Sequence, residues 1–149
     1  YYLIKSGKSA EAAEHFRLAS QMSPDYCFPS RAEALPVLEA AIDARPDDAK
    51  AHYYLGNLLY AKGTYNRDNQ ERAIAEWEKA AELGESYSVL YRNLGLAYWR
   101  VRHDKQKAEE AYLRAIKLRP ADPKLYVELD KVYEELAVAE APEEHRAVA

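Results

Sequence analysis

A spacing rule that returns four times constrains this chain more than any other feature. A small Ala is followed four residues later by a bulky side chain, and three later by a second Ala. In three copies a Pro stands five residues beyond that. The copies are Ala12-Phe16-Ala19-Pro24, Ala34-Leu38-Ala41-Pro46, Ala73-Trp77-Ala80 with Glu85 where Pro would fall, and Ala108-Tyr112-Ala115-Pro120. Steps of four and three place these residues on one face of an α-helix, and alternating small and large side chains suit helices that approach closely. Pro ends each unit, since it lacks an N–H and its ring clashes with the preceding turn.

A second step precedes two of the copies. Leu55-Gly56-x-x-Leu59 and Leu94-Gly95-x-x-Tyr98 share it, with His52 and Tyr91 three residues ahead of each Leu. Leu129-Asp130-x-x-Tyr133, with Tyr126 ahead, repeats the step with Asp in place of Gly. Gly inside a helix costs roughly 1 kcal/mol relative to Ala. Its recurrence implies that a second helix comes too close for a side chain. The pattern predicts helices over 9–22, 31–44, 49–62, 69–83, 87–101, 105–118 and 123–137, with no β-sheet. Asp48, Asp104 and Asp122, the last followed by Pro123, stand where helix N-caps belong. Asp68-x-x-Glu71 reads as a capping box that starts a helix at Asn69.

These two patterns together resemble the tetratricopeptide repeat, a helix–turn–helix unit with a W-x-x-L-G-x-x-Y…A-x-x-x-F…A…P signature. His52, Tyr91 and Tyr126 stand where the signature has Trp. The resemblance implies an all-α helix–turn–helix solenoid, a single array over 1–149, irregular and cut within a unit at both ends. Its expected parts are a partial unit 1–25, a degenerate one-helix unit 26–47, full units 48–86 and 87–121, and a partial unit 122–149. Tyr1 to Lys5 reads as the end of a first helix, and Pro142-Glu143-Glu144 opens one that Ala149 cuts short, so a fragment of a larger protein is expected. Pro24 and Pro46 stand only 22 residues apart, against a usual unit of about 34. Residues 24–30 therefore read as a non-helical bridge, with Tyr26, Cys27 and Phe28 as buried plugs and Ser30 capping the next helix. Pro36 implies a kink or a late helix start. The tract Asp25-Tyr26-Cys27-Phe28-Pro29, with residues 51–60, also resembles the repeat tail of some large bacterial proteins that carry a carbohydrate-processing-like domain.

Composition narrows the function classes. The chain has 21 basic and 25 acidic residues and a net charge of −4, which argues against a nucleic-acid partner, where clustered Lys and Arg must neutralise phosphates. No apolar run approaches the roughly 20 residues of a membrane helix, so no membrane partner is expected. Cys27 is the one cysteine, so no intrachain disulfide forms and nothing points to an oxidising compartment; a cytoplasmic location follows as the expectation. His15, His52, His103 and His145 do not pair at helical spacing, and no metal-ligand set converges. Asp47-Asp48, Glu134-Glu135 and Glu143-Glu144 are neighbours that do not share a helix face. No phosphate-binding Gly loop or nucleophile motif is present. The reading is non-enzymatic, without metal or cofactor.

Aromatics are the remaining signal, with 13 Tyr and 2 Trp. Phe16, Trp77, Tyr91, Tyr98, Tyr112, Tyr126 and Tyr133 occupy repeat positions and read as core. The resemblance implies that the first helices of the units line a concave groove. Projected on a 3.6-residue helix, the face offset from the Leu-Gly face carries Lys50, Tyr53, Asn57 and Tyr60, then Val89, Arg92, Leu96 and Trp99, then Lys124, Val127, Lys131 and Glu134. Tyr53, Asn57, Tyr60, Arg92, Leu96, Trp99, Lys124 and Lys131 are the expected peptide-binding residues. Aromatic area supplies binding energy, Asn pairs with a peptide backbone, and the cations meet carboxylates. Tyr60 and Trp99 can equally pack on a neighbouring first helix. Some members of the family clamp a C-terminal carboxylate between Lys and Asn. Asn57, Asn93 and Lys124 fall at such places, but Tyr53 replaces the first Lys and Glu128 the Arg, and Glu128 would repel the carboxylate. The expected partner is a protein: an extended peptide or a partner domain, another domain of the same chain included. The alternative is a structural, docking or self-association segment.

Overall fold

The computed structural model describes residues 1–23, 31–63 and 66–140. The expectations for Tyr26, Cys27, Phe28, Ser30 and the helix opening at Pro142 lie outside these. Among the described residues every regular element is a helix: α1 (Tyr2–Lys5), α2 (Ser9–Gln21), α3 (Ala34–Ala44), α4 (Ala49–Lys62), α5 (Arg67–Glu82), α6 (Ser88–Ala97), α7 (Lys105–Leu118) and α8 (Pro123–Glu140), with a π-helical turn over Tyr98–Arg102 continuing α6. None is long and apolar enough to cross a membrane.

The boundaries follow from local chemistry. The Asp48 carboxylate accepts from the N–H groups of Lys50 and Ala51, and Asp104 accepts from that of Lys107. Asp122 accepts from Lys124 N–H at 3.1 Å. Each cap satisfies donors that a helix start leaves without a partner. α3 starts late, at Ala34, which puts Pro36 in the first turn, where its missing N–H costs nothing. One expectation is corrected. α5 starts at Arg67 and not at Asn69, because Asn66 caps it by accepting from Asn69 N–H, two residues upstream of the anticipated Asp68. Both residues are good caps; Asn66 takes the place because its backbone is extended there, whereas Asp68 is helical.

The chain divides into two compact units, Tyr1–Glu85 and Ser86–Ala149. In the first, α4 pairs with α5. Leu55, Leu59 and Ala73 form a buried cluster, with Leu35, Leu38 and Ile42 of α3 against it. A Cβ on Gly56 would lie 2.5 Å from the Trp77 ring and 3.0 Å from the Ala73 carbonyl, so only hydrogen fits between the helices. In the second unit, α6 pairs with α7 and α7 with α8. Its core joins Trp99, Ala108, Tyr112, Leu129 and Val132. There a Cβ on Gly95 would lie 2.8 Å from the Tyr112 ring. Each glycine of the Leu-Gly step thus receives the bulky residue of the Ala-x-x-x-large step.

Two positions read as core are corrected. Tyr126 is 48% and Tyr133 40% exposed, because no described element covers the greater part of either ring. Their hydroxyls are tied down at the surface, Tyr126 to the Pro120 carbonyl at 2.9 Å and Tyr133 to Glu109 at 2.6 Å.

Replacing Gly56 or Gly95 by Leu is expected to lower stability by about 1–3 kcal/mol or more, since added volume in a closed contact forces the helices apart. Urea denaturation of the two variants checks this; midpoints equal to the parent's would show that neither glycine is pressed by an aromatic ring.

Candidate functional site

The eight expected binding residues divide between the two units. Tyr53, Asn57 and Tyr60 lie on α4. Tyr53 is buried, with its ring 5.4 Å from that of Tyr54. Asn57 accepts a hydrogen bond from the Trp77 indole N–H at 3.0 Å, and the Tyr60 ring tilts against Trp77 at 5.1 Å. Both residues therefore serve the ring that sits on Gly56: one satisfies its buried donor, the other covers its face.

The second unit supplies the other five. Arg92 grips Glu128 of α8 with two parallel bonds, Nε to Oε2 at 2.8 Å and Nη2 to Oε1 at 2.5 Å. Hydrogen bonding to Glu128 holds the guanidinium pKa above its ordinary value. Leu96 packs on the Trp99–Tyr112 cluster. Trp99 is buried, its indole donates to Glu135 at 2.7 Å, and the Arg100 guanidinium lies 3.6 Å above its ring. Lys124 and Lys131 are exposed on α8, on the same face as Glu128 and Glu135.

Tyr53 and Trp99, anticipated as exposed contact aromatics, are instead 5% and 4% exposed. For Trp99 the reason is the π turn. Its wider winding breaks the 3.6-residue projection from Tyr98 onward and carries the indole into the α7–α8 core. Arg92 is likewise committed to Glu128 within the protein.

Four buried or half-buried polar links were not anticipated. His52 is sandwiched between Glu76, 2.6 Å from Nδ1, and the Pro46 carbonyl, 3.1 Å from Nε2. Ser88 donates to the Ala115 carbonyl at 3.0 Å. Arg92–Glu128 and Trp99–Glu135 both join residues 36 apart. For these last two, donors and acceptors about one repeat length apart were the available signal.

The repeat character is independently visible in known proteins. The family description "Tetratricopeptide repeat" matches residues 30–82. This match and the helix–turn–helix pairs of the fold support a tetratricopeptide repeat protein. It is 31% identical over 85 residues to "Tetratricopeptide repeat protein 37" of Xenopus laevis, covering 57% of this chain and 5% of that protein. It is 27% identical over 135 residues to the human "Superkiller complex protein 3", covering 86% of this chain and 8% of the relative. The mouse protein of that name is 28% identical over 109 residues, 70% of this chain and 7% of its own length. The chain thus spans less than a tenth of the relatives it matches. Tetratricopeptide repeats are protein–protein interaction modules, and the matches point to a non-catalytic scaffold. Among the described residues no group of His, Cys, Asp and Glu could hold a metal ion.

Tyr112, the aromatic residue of the second repeat pair, carries one unsatisfied group. Its hydroxyl is buried without a hydrogen-bond partner. Burial first, and the nearby Glu128 carboxylate second, push its pKa above the ordinary value. A raised pKa in the folded state means that the unfolded chain loses this proton first. The contribution is therefore fully present below about pH 10 and is lost as pH rises beyond it. Tyr112→Phe is expected to be neutral or to stabilise by about 1 kcal/mol at pH 7, because it removes a desolvated hydroxyl and keeps the ring on Gly95. The variant should also lose less stability than the parent between pH 9.5 and 11 (both roughly bracketing the free tyrosine value). Urea melts across that range read both effects; a variant that is weaker at pH 7 would mean that the hydroxyl holds a partner.

Proposed function

We propose that this chain is a non-enzymatic module that binds a protein partner, through an extended segment carrying apolar and acidic residues, and that α8 of the second unit supplies the principal contact. The observation that carries this is the line of Lys124, Val127 and Lys131. Val127 is 55% exposed between two exposed lysines. An apolar side chain between two cations complements an apolar residue flanked by carboxylates. Beside this line the Arg92–Glu128 pair is already satisfied, so it acts as a rigid wall and does not compete for the ligand's charges. Asn57, Tyr60, Tyr53 and Trp99 support the helices that present the surface. The relatives named for tetratricopeptide repeats favour the same class of function.

Peptide display against the chain tests the reading. Selected sequences should pair an apolar residue with Asp or Glu. A Lys124→Glu/Lys131→Glu variant with the parent's melting temperature should lose their binding at least tenfold. Selection of basic peptides, or unchanged binding by the variant, would remove this surface. Absence of any peptide, together with concentration-dependent dimerisation, would favour the docking and self-association role.

A further inference from the structure

α8 departs from the contact that holds α4 to α5 and α6 to α7. In those pairs the residue after Leu is a glycine with an aromatic ring pressed on it. On α8 the same step reads Leu129-Asp130, so a carboxylate stands where the other helices receive a ring. An aromatic ring seated there would strip water from the charge without pairing it. The Asp130 side chain is exposed, and among the described residues it makes neither a hydrogen bond nor an ion pair.

The surroundings of this carboxylate form a site. Tyr126, Leu129, Asp130 and Tyr133 follow at steps of three, one and three, which places them on one helix face. With Val127 they line a cavity of about 370 Å³. Ligand pockets run from roughly 300 to 1,000 Å³, so this one suits a single long side chain. The buried Leu129 gives it an apolar base, and the two half-exposed tyrosines stand before and after Asp130 along the helix. Neither ring is loose. The Tyr126 hydroxyl donates to the Pro120 carbonyl at 2.9 Å and the Tyr133 hydroxyl to Glu109 of α7 at 2.6 Å. Glu109 also keeps a second carboxylate at the Tyr133 end.

We propose that this pocket receives a basic side chain, Arg before Lys, from an apolar segment of a protein partner, with its stem on the tyrosine rings and its charged head on Asp130. The contact rests on the chain being a protein-binding module, and it lies beyond the Lys124–Lys131 line, from which it differs in helix face and in sign. A long cationic side chain has an apolar stem and a charged tip, and the pocket is divided in the same way. Arg is favoured because its guanidinium meets a carboxylate with two N–H groups and also lies well against a Tyr face. The tethered rings need no ordering when it enters. A purely apolar segment would bury Asp130 without a partner, and a nucleic acid would bring phosphates against two carboxylates.

The test is an NMR titration of the ¹⁵N-labelled chain with the blocked peptide Ala-Leu-Arg-Ala-Leu and with its counterpart carrying Gln for Arg. Amide shifts should centre on residues 126–133, and the Gln peptide should bind about fivefold more weakly. Asp130→Asn, an exposed change expected to keep the parent's melting temperature, should cut that preference to about twofold. Tyr133→Ala should weaken both peptides. Any of four results overturns the proposal: no binding, or equal binding of the two peptides, by the parent; shifts centred away from this face of α8; the same shifts on raising protein concentration alone, which would make a second copy the occupant; or binding seen only when residues 141–149 are removed, which would make the chain's own end the occupant. The two surfaces fail separately. Asp130→Asn should leave selection of apolar–acidic peptides unchanged, and Lys124→Glu/Lys131→Glu should leave the Arg preference in place.

Discussion

An aromatic ring pressed on a helical glycine holds the α4–α5 pair and the α6–α7 pair of this protein. Trp77 sits on Gly56 and Tyr112 on Gly95, each at a distance that leaves no room for a methyl group. Gly is among the poorest helix formers, so the sequence gives up roughly 1 kcal/mol at each position. Burial of the ring offsets this. A fully buried Trp or Tyr removes roughly 150–250 Å² from water, which at about 25 cal/mol per Å² outweighs the propensity loss several times. The contact also sets the helix separation, and with it the place of every other side chain on these helices.

That separation creates a second requirement. Helices this close bury polar groups, which must find partners. Asn57 answers the Trp77 indole, Glu135 the Trp99 indole, and Ser88 the Ala115 carbonyl. Glu128 holds Arg92 across α6 and α8. Several residues that resemble a ligand-binding set are therefore internal fittings. Lys124, Val127 and Lys131, exposed on α8, stand outside this set.

The helices were legible because their signals are local. Gly56, Gly95 and the Ala-large-Ala steps report a 3.6-residue period, and Asp48, Asp104 and Asp122 mark starts by a hydrogen bond to a near neighbour. The site was less legible because facing is a tertiary property. Projection on a regular helix holds for Lys124 and Lys131, which lie in the regular helix α8. It fails at Trp99, where the π turn shifts the winding, and at Tyr53, which burial claims. Tyr126 and Tyr133 look like core by pattern, yet a core position needs a neighbour to cover it. Arg92 and Glu128 could have been paired only by knowing that residues 36 apart face each other.

The central claim is that ring and glycine act as one unit, and a double-mutant cycle on Gly56→Ala and Trp77→Leu measures it. Each change alone should destabilise, the first by forcing a methyl into the ring and the second by leaving a void. Together they should cost less than their sum by about 1 kcal/mol or more, since the smaller Leu makes room for the methyl. Costs that add to within about 0.5 kcal/mol would contradict the account, because they would show that the two residues do not feel each other.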